Sequence, residues 1–178
     1  MNDTLNEQPP VVEQPAADAE AAQYLQEFHK GANWFYFIAG LSVINSLVML
    51  FGAGWVFIFG LGITQVVDGI AAEAVKSMEG GAAVWIVHAI GLGFSVVIAA
   101  VCALIGWLSN KGYGAVYLIG MILYLLDALL FVLLLFLGEP DFLGLVFHII
   151  ALFLMARGYI SLRKLRALEA SAQLQQPI

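Results

Sequence analysis

The feature that most constrains this sequence is an uninterrupted apolar run over residues 114–137 that contains one acidic residue, Asp127. A helix needs about 20 apolar residues to cross the hydrocarbon core of a bilayer, and this run is long enough. A carboxylate that faces lipid at such a depth is costly, so Asp127 is expected to face other helices and to find a polar partner there. The sequence therefore predicts a set of membrane helices that enclose Asp127.

The composition and the other apolar runs extend this prediction to the whole chain. Of 178 residues, 62% are hydrophobic and 11% are charged, and the mean hydropathy is +0.91. A soluble domain is about half apolar and about a quarter charged. Membrane spans are predicted at residues 34–50, 83–108, 114–137 and 142–160. We therefore expect an all-α integral membrane fold, a four-helix transmembrane bundle, with no room for a sizeable soluble domain.

Residues 55–79 form a further apolar-leaning segment, and its pattern favours an additional amphipathic helix. At about 100° per residue, its polar residues fall on one face and its apolar residues fall on the opposite face. The polar face carries Gln65, Asp68, Ala72, Lys76 and Glu79, and the apolar face carries Ile63, Val67, Ile70, Ala74 and Met78. Such a helix lies at the membrane interface or dips into the membrane as a re-entrant segment. A complete fifth span stays open as the alternative.

The two ends of the chain differ in charge, and the difference predicts an orientation. Six of the thirteen acidic residues lie within the first 27 residues, and four of the seven basic residues lie between positions 157 and 166. We expect a flexible acidic tail over residues 1–30, a single transmembrane domain over 31–166 and a C-terminal tail over 167–178. Within the first tail, residues 19–30 form either a plain linker or a short surface helix that ends at Gly31. The C-terminal tail begins as a short helical continuation of the last span. Cytoplasmic loops are rich in Lys and Arg, so we predict a multi-pass protein of the cell membrane with its C-terminus in the cytoplasm. With four spans the N-terminus is also cytoplasmic, and with five it lies outside.

Polar residues on the predicted spans fall at similar depths. Counted from the outer end of each span at about 1.5 Å per residue, four of them lie within about 8 Å of one another in depth. These are Asn45, His88, Asp127 and His148. We therefore predict one intramembrane polar cluster. If the amphipathic helix dips into the membrane, its Gln65 and Asp68 close over this cluster from the outer side. If the helix lies on the surface, which is favoured for these two residues, they belong to its solvated polar face.

This cluster allows three interpretations. In the first, Asp127 accepts hydrogen bonds that tie the helices together, and the protein is a non-catalytic structural or accessory component. In the second, Asp127 handles protons or ions with His88 and His148, because histidine titrates near neutral pH. In the third, the same three side chains ligate the metal of a membrane-embedded metalloenzyme. The first is favoured, because each helix supplies only one strong polar group.

The sequence contains none of the common catalytic motifs. HExxH, GxSxG and a Gly-rich phosphate loop are all absent. The lone cysteine, Cys102, excludes an internal disulfide and a CxxC motif. We therefore assign no catalytic residue, expect no cofactor and favour a protein that is not an enzyme. The predicted partners are membrane lipid, other membrane proteins or a second copy of the chain, and not nucleic acid.

Two segments carry a resemblance to other sequences. FGLGITQVVDGIA, residues 59–71, and ARGYISLRKL, residues 156–165, resemble segments of uncharacterised small bacterial multi-span membrane proteins. The resemblance implies the same broad membrane class, and it implies no activity and no site residue.

Overall fold

The computed structural model describes residues 13–51, 60–78, 80–138 and 141–174, and the regular structure within these ranges is entirely α-helical. The helices are α1 (Glu13–Leu50), α2 (Gly62–Lys76), α3 (Ala82–Asn110), α4 (Gly114–Phe136) and α5 (Phe142–Leu174). Four of them, all except α2, are long and apolar enough to cross a membrane. The predicted all-α class is confirmed, and the four long apolar helices agree with a multi-pass membrane protein.

The first helix is longer than the sequence predicts. It begins at Glu13, so the predicted tail over residues 1–30 is helical from residue 13 onward, and residues 1–12 lie outside the described part of the chain. A glycine often ends a helix, but Gly31 lies inside α1 and packs against Gly158 of α5. A Cβ atom on Gly31 would lie 2.7 Å from the Gly158 Cα atom. The two glycines therefore serve close packing of the helices.

The last helix extends beyond residue 160, where the predicted span ends, and it includes the helical continuation predicted for the C-terminal tail. It runs to Leu174, into the predicted C-terminal tail, and residues 175–178 lie outside the described part of the chain. Asp141 begins this helix as an N-cap, because its Oδ1 atom accepts a hydrogen bond from the Gly144 N–H group at 2.8 Å. Short connections join α3, α4 and α5, which makes them antiparallel neighbours.

Contacts between α1 and its neighbours fix how the ends of the bundle are arranged. α1 packs along both α3 and α5. His29 Nδ1 of α1 lies 2.7 Å from Asn110 Oδ1 at the end of α3. The Arg157 guanidinium of α5 donates to the Glu27 carboxylate of α1 at 3.1 Å. The start of α1, the α3–α4 turn and the last part of α5 therefore share one end. We call it the basic end, because it also carries Lys111, Arg163, Lys164 and Arg166.

The short helix α2 begins inside the bundle. Its first residue, Gly62, contacts Phe131 and Asp127. Both of these residues lie in the interior of α4, away from its ends. Its last residue, Lys76, is exposed. The predicted segment 55–79 is therefore helical over 62–76, while residues 55–59 and 79 lie outside the described residues.

The faces of α2 are oriented unusually for an amphipathic helix. Asp68 packs inward and is 7% exposed, whereas Ile70 points away from the bundle and is 65% exposed. The polar side of the helix thus contacts other helices, and an apolar side chain faces outward. A helix with this orientation presents apolar surface to its surroundings.

Candidate functional site

The Asp127 carboxylate caps the N-terminus of a helix to which it does not belong. Its Oδ2 atom accepts a hydrogen bond from the Gly62 N–H group at 2.7 Å, and its Oδ1 atom accepts one from Ile63 at 2.8 Å. The first N–H groups of a helix have no partner within that helix, and the residue at the N-cap position of α2, Leu61, makes no capping hydrogen bond with its side chain. A carboxylate from α4 supplies this cap and also faces the positive end of the helix dipole.

A serine of α1 binds the backbone N–H group of the residue just before α2. Ser42 Oγ accepts a hydrogen bond from the Leu61 N–H group at 2.8 Å and donates to the Ile38 carbonyl oxygen at 2.9 Å. Thr64 Oγ1 donates to the Leu61 carbonyl oxygen at 2.8 Å. Three consecutive backbone N–H groups, from residues 61 to 63, are therefore bound by side chains of two other helices.

Two glycines allow the backbone at the start of α2 to lie close to α1 and α4. Gly60 has φ +147°, and a Cβ atom on it would lie 3.1 Å from the Ser42 Cα atom. A Cβ atom on Gly62 would lie 2.6 Å from Cε2 of Phe131. A larger residue at either position would displace α1 or the Phe131 ring. The Gly-Leu-Gly sequence at residues 60–62 is thus required for the start of α2 to reach Asp127.

His148 of α5 is the third partner of the Asp127 carboxylate. Its Nε2 atom lies 3.0 Å from Asp127 Oδ2, and its Nδ1 atom lies 2.7 Å from the Gly144 carbonyl oxygen. A carbonyl oxygen only accepts hydrogen bonds, so Nδ1 carries a proton. A further proton lies between Nε2 and Oδ2, on either atom. The Asp127–His148 pair therefore carries no net charge, which lowers the cost of burying it.

Aromatic rings of α4 hold the imidazole of His148 in place. The Tyr124 ring stacks on it with a centroid distance of 4.7 Å and an interplanar angle of 14°. The Phe131 ring lies on it at 4.4 Å and 43°. His148 is fully buried between these contacts. Its ring cannot turn away from Asp127 without losing them.

A second cluster of polar side chains lies between α1, α2 and α3. Ser46 Oγ of α1 donates to Asp68 Oδ2 of α2 at 2.5 Å. His88 of α3 is half-buried and shares with Asp68 and Ser46 the lining of a cavity of about 10 Å³.

The predicted site residues are thus distributed over two places. The structure brings Asp127 and His148 together, and it places His88 beside Asp68 instead. Asn45 is buried, and its Oδ1 atom has no hydrogen-bond partner among the described residues. Gln65 lies half-buried on α2. Within the described ranges, no group of three or more His, Cys, Asp and Glu side chains is arranged to hold a metal ion.

Sequence reasoning did not identify the main partners of Asp127. These are the backbone N–H groups of Gly62 and Ile63, which no side-chain pattern reveals. It also gave no role to Ser42 or to the rings of Tyr124 and Phe131. The available signal is the Gly-Leu-Gly sequence directly before an amphipathic helix, which allows a close backbone approach.

Comparison of the chain with protein-family models, with curated proteins and with solved structures finds no match in any of the three.

Proposed function

We propose that this chain is a non-catalytic, structural or accessory protein of the bacterial inner membrane, in which α2 is a re-entrant half-helix anchored by Asp127. The observation that carries this proposal is the capping of α2 by a carboxylate in the interior of a membrane helix. Its partners are membrane lipid and other membrane proteins or a second copy of the chain.

The lengths of the helices support the re-entrant position of α2. Asp127 lies nine residues before Phe136, the last residue of α4, which corresponds to about 13 Å. α2 has 15 residues and is therefore about 22 Å long. A helix that begins beside Asp127 can leave the membrane before it ends. The exposed ion pair of Glu73 and Lys76, 2.6 Å apart near the end of α2, suits such an exit into water.

The outward face of α2 supports the same position. Ile70 is 65% exposed on the side away from the bundle, and lipid is a favourable surrounding for such a side chain. Polar groups of the helix, including Asp68, are directed towards other helices, where they find partners such as Ser46. This is the arrangement expected of a helix inside a membrane rather than in water.

Proton transfer is the second candidate, and the hydrogen bonds of the Asp127–His148 pair favour an anchor over a relay. His148 Nδ1 donates to the Gly144 carbonyl oxygen, which cannot pass a proton onward. Both carboxylate oxygens of Asp127 already accept backbone N–H groups. Among the described residues, the hydrogen bonds of the pair reach no further titratable side chain to which its proton could move.

The basic end of the bundle supports an orientation. Arg163, Lys164 and Arg166 lie there together with Lys111 of the α3–α4 turn. Because positively charged segments stay in the cytoplasm, we place this end inside the cell. The start of α1 shares this end, so the N-terminal part of the described chain is cytoplasmic as well.

A paired measurement of stability and transport tests the anchor. Asp127→Asn keeps the side-chain size, removes the charge and turns one acceptor into a donor. We expect it to lower the free energy of unfolding in detergent by about 1–3 kcal/mol and to leave proton flux in proteoliposomes at the wild-type level. The control is Leu125→Ala, an exposed position on the same helix. A wild-type proton flux that Asp127→Asn abolishes at unchanged stability would favour the relay instead.

A further inference from the structure

A cavity of about 460 Å³ opens between α1 and α5 at the basic end of the bundle. Its volume lies within the range of sites that bind small molecules. Its walls carry Lys30, Asn33 and Trp34 of α1, and Leu154 and Arg157 of α5. The side chains of Lys30 and Arg157 are 60% and 55% exposed, respectively. Two accessible cations at one cavity indicate a site for a negatively charged group.

The charged side chains of the cavity lining give it a net positive charge. Lys30 and Arg157 are opposed by one acid among the described residues of the lining, Glu27. Glu27 Oε1 lies 3.3 Å from Lys30 Nζ, and its Oε2 accepts a hydrogen bond from Arg157 at 3.1 Å. An ammonium group has three N–H donors and a guanidinium group has five, so both cations keep donors for a ligand. A single phosphodiester group, with one negative charge, would balance the remaining positive charge.

An apolar wall continues from the cavity along α1 and α5. The Trp34 ring lies 5.3 Å from the Phe37 ring and 6.1 Å from the Phe147 ring of α5, measured between centroids. Phe37 is 53% exposed. Lys30, Trp34 and Phe37 follow each other at spacings of four and three residues, which places them on one face of α1. A molecule bound to this face would meet charge at one end and aromatic rings at the other.

We infer that this cavity binds an anionic phospholipid, with the phosphodiester group between Lys30 and Arg157 and an acyl chain along Trp34 and Phe37. The inference rests on the membrane location in the proposed function and names the class of its lipid partner. It does not depend on the anchoring of α2 by Asp127.

The level of the two cations along the helices suits a lipid headgroup. Lys30 lies one turn before Trp34, where the first predicted span begins, and Arg157 lies about one turn before residue 160, where the last one ends. Long basic side chains near the ends of membrane helices extend to the headgroup level, and Trp34 is of a type that is common at this level. Basic pockets between membrane helices on the cytoplasmic side bind anionic lipid headgroups.

Two competing occupants use only part of the site. A free inorganic anion would bind the cations and leave the aromatic wall without a partner. A zwitterionic phospholipid also carries an ammonium group, which would need an acid. Glu27 is the one acid in the described lining, and it already binds Lys30 and Arg157. An anionic phospholipid matches both the charge and the apolar wall.

The fluorescence of Trp34 can report the occupant, because bromine atoms on an acyl chain quench a tryptophan that they contact. The test uses a protein that carries Trp55→Phe, Trp85→Phe and Trp107→Phe, in bilayers of phosphatidylcholine. Phosphatidylglycerol, phosphatidylethanolamine or phosphatidylcholine, each brominated in the upper part of its acyl chains, is then titrated in. We expect brominated phosphatidylglycerol to occupy the site about fivefold more readily than brominated phosphatidylcholine, as one net positive charge predicts.

Three substitutions test the charges of the site. Arg157→Gln leaves Lys30 balanced by Glu27 and should remove the preference for phosphatidylglycerol. Glu27→Gln removes the opposing charge and should increase the preference by about a further fivefold. The matched control is Arg163→Gln, which removes a charge from an exposed position of the same helix outside the cavity lining and should leave the preference unchanged. Thermal unfolding first establishes that every variant folds.

Equal quenching by brominated phosphatidylglycerol and phosphatidylcholine would overturn the inference and leave the membrane location intact. An equal loss of preference in Arg157→Gln and Arg163→Gln would also overturn it, because diffuse surface charge would then attract the lipid. A preference for phosphatidylethanolamine that Glu27→Gln removes would assign the cavity to a zwitterionic lipid. Absence of quenching by all three lipids would contradict the membrane location itself, and with it the proposed function.

Discussion

The Asp127 carboxylate of α4 accepts a hydrogen bond from the backbone N–H group of Gly62, the first residue of α2, at 2.7 Å. An acid in the middle of a membrane helix thus binds the end of another helix. Isolated, each of these groups would be costly inside a membrane: the carboxylate for its charge and the helix end for its unpaired N–H groups. Together they satisfy each other, and His148 balances the charge. This pairing explains why α2 starts inside the bundle.

A double-mutant cycle should find Asp127 coupled to His148 and not to His88. His148 Nε2 lies 3.0 Å from Asp127 Oδ2, whereas His88 lies beside Asp68. We expect a coupling free energy of about 0.5–3 kcal/mol between Asp127→Asn and His148→Leu. Asp127→Asn and His88→Leu should be additive within about 0.5 kcal/mol. Unfolding by denaturant in mixed micelles measures both. Equal coupling in the two cycles would instead support a single polar cluster.

Two glycines of α2 should respond in opposite ways to alanine. A Cβ atom on Gly62 would lie 2.6 Å from Cε2 of Phe131, whereas a Cβ atom on Gly69 would have no neighbour within 4 Å. Gly62→Ala should destabilise the protein by about 1–3 kcal/mol through overpacking. Gly69→Ala should stabilise it by up to about 1 kcal/mol, because alanine favours the helix. Thermal unfolding compares them.

The cost of Gly62→Ala has a specific cause that a second variant can test. In a Phe131→Leu background the ring that meets the new methyl group is gone, so the same substitution should cost less. If Gly62→Ala does not lower the stability relative to Gly69→Ala, the start of α2 does not lie against Phe131.

Cysteine labelling should distinguish a re-entrant α2 from one that lies in water. In a Cys102→Ala background, Lys76→Cys and Ile70→Cys place thiols on the same helix at positions that are 72% and 65% exposed, respectively, in the bundle. A membrane-impermeant maleimide added to intact cells should label Lys76→Cys rapidly and Ile70→Cys at least tenfold more slowly, because lipid covers position 70. Equal rates at the two positions would contradict a re-entrant helix.

The same experiment checks the orientation. Arg163→Cys lies at the basic end, which we place in the cytoplasm. Its thiol should react only after the cells are permeabilised. Labelling of Arg163→Cys from outside, with Lys76→Cys protected, would reverse the proposed orientation.

The long helices were predictable from the sequence because length and hydropathy determine them. Their ends were harder to predict, since a glycine such as Gly31 looks the same whether it ends a helix or packs against Gly158. His88, Asp127 and His148 lie at similar predicted depths along their helices, but depth does not determine how each helix is rotated about its axis. The rotation of α3 and the inward face of α2 place His88 beside Asp68. Two of the partners of Asp127 could not be predicted from the sequence, because they are backbone N–H groups that every residue except proline carries.

Hydrogen exchange at the Gly62 and Ile63 amides tests the central claim most directly. The first amides of a helix normally exchange quickly, because they have no partner within the helix. If Asp127 caps α2, both amides should exchange slowly in the wild-type protein, by NMR in detergent micelles. In Asp127→Asn their exchange should accelerate by at least tenfold, while the amides in the middle of α4 stay protected. Fast exchange in the wild type, or equally slow exchange in both proteins, would contradict the capping of α2 by Asp127.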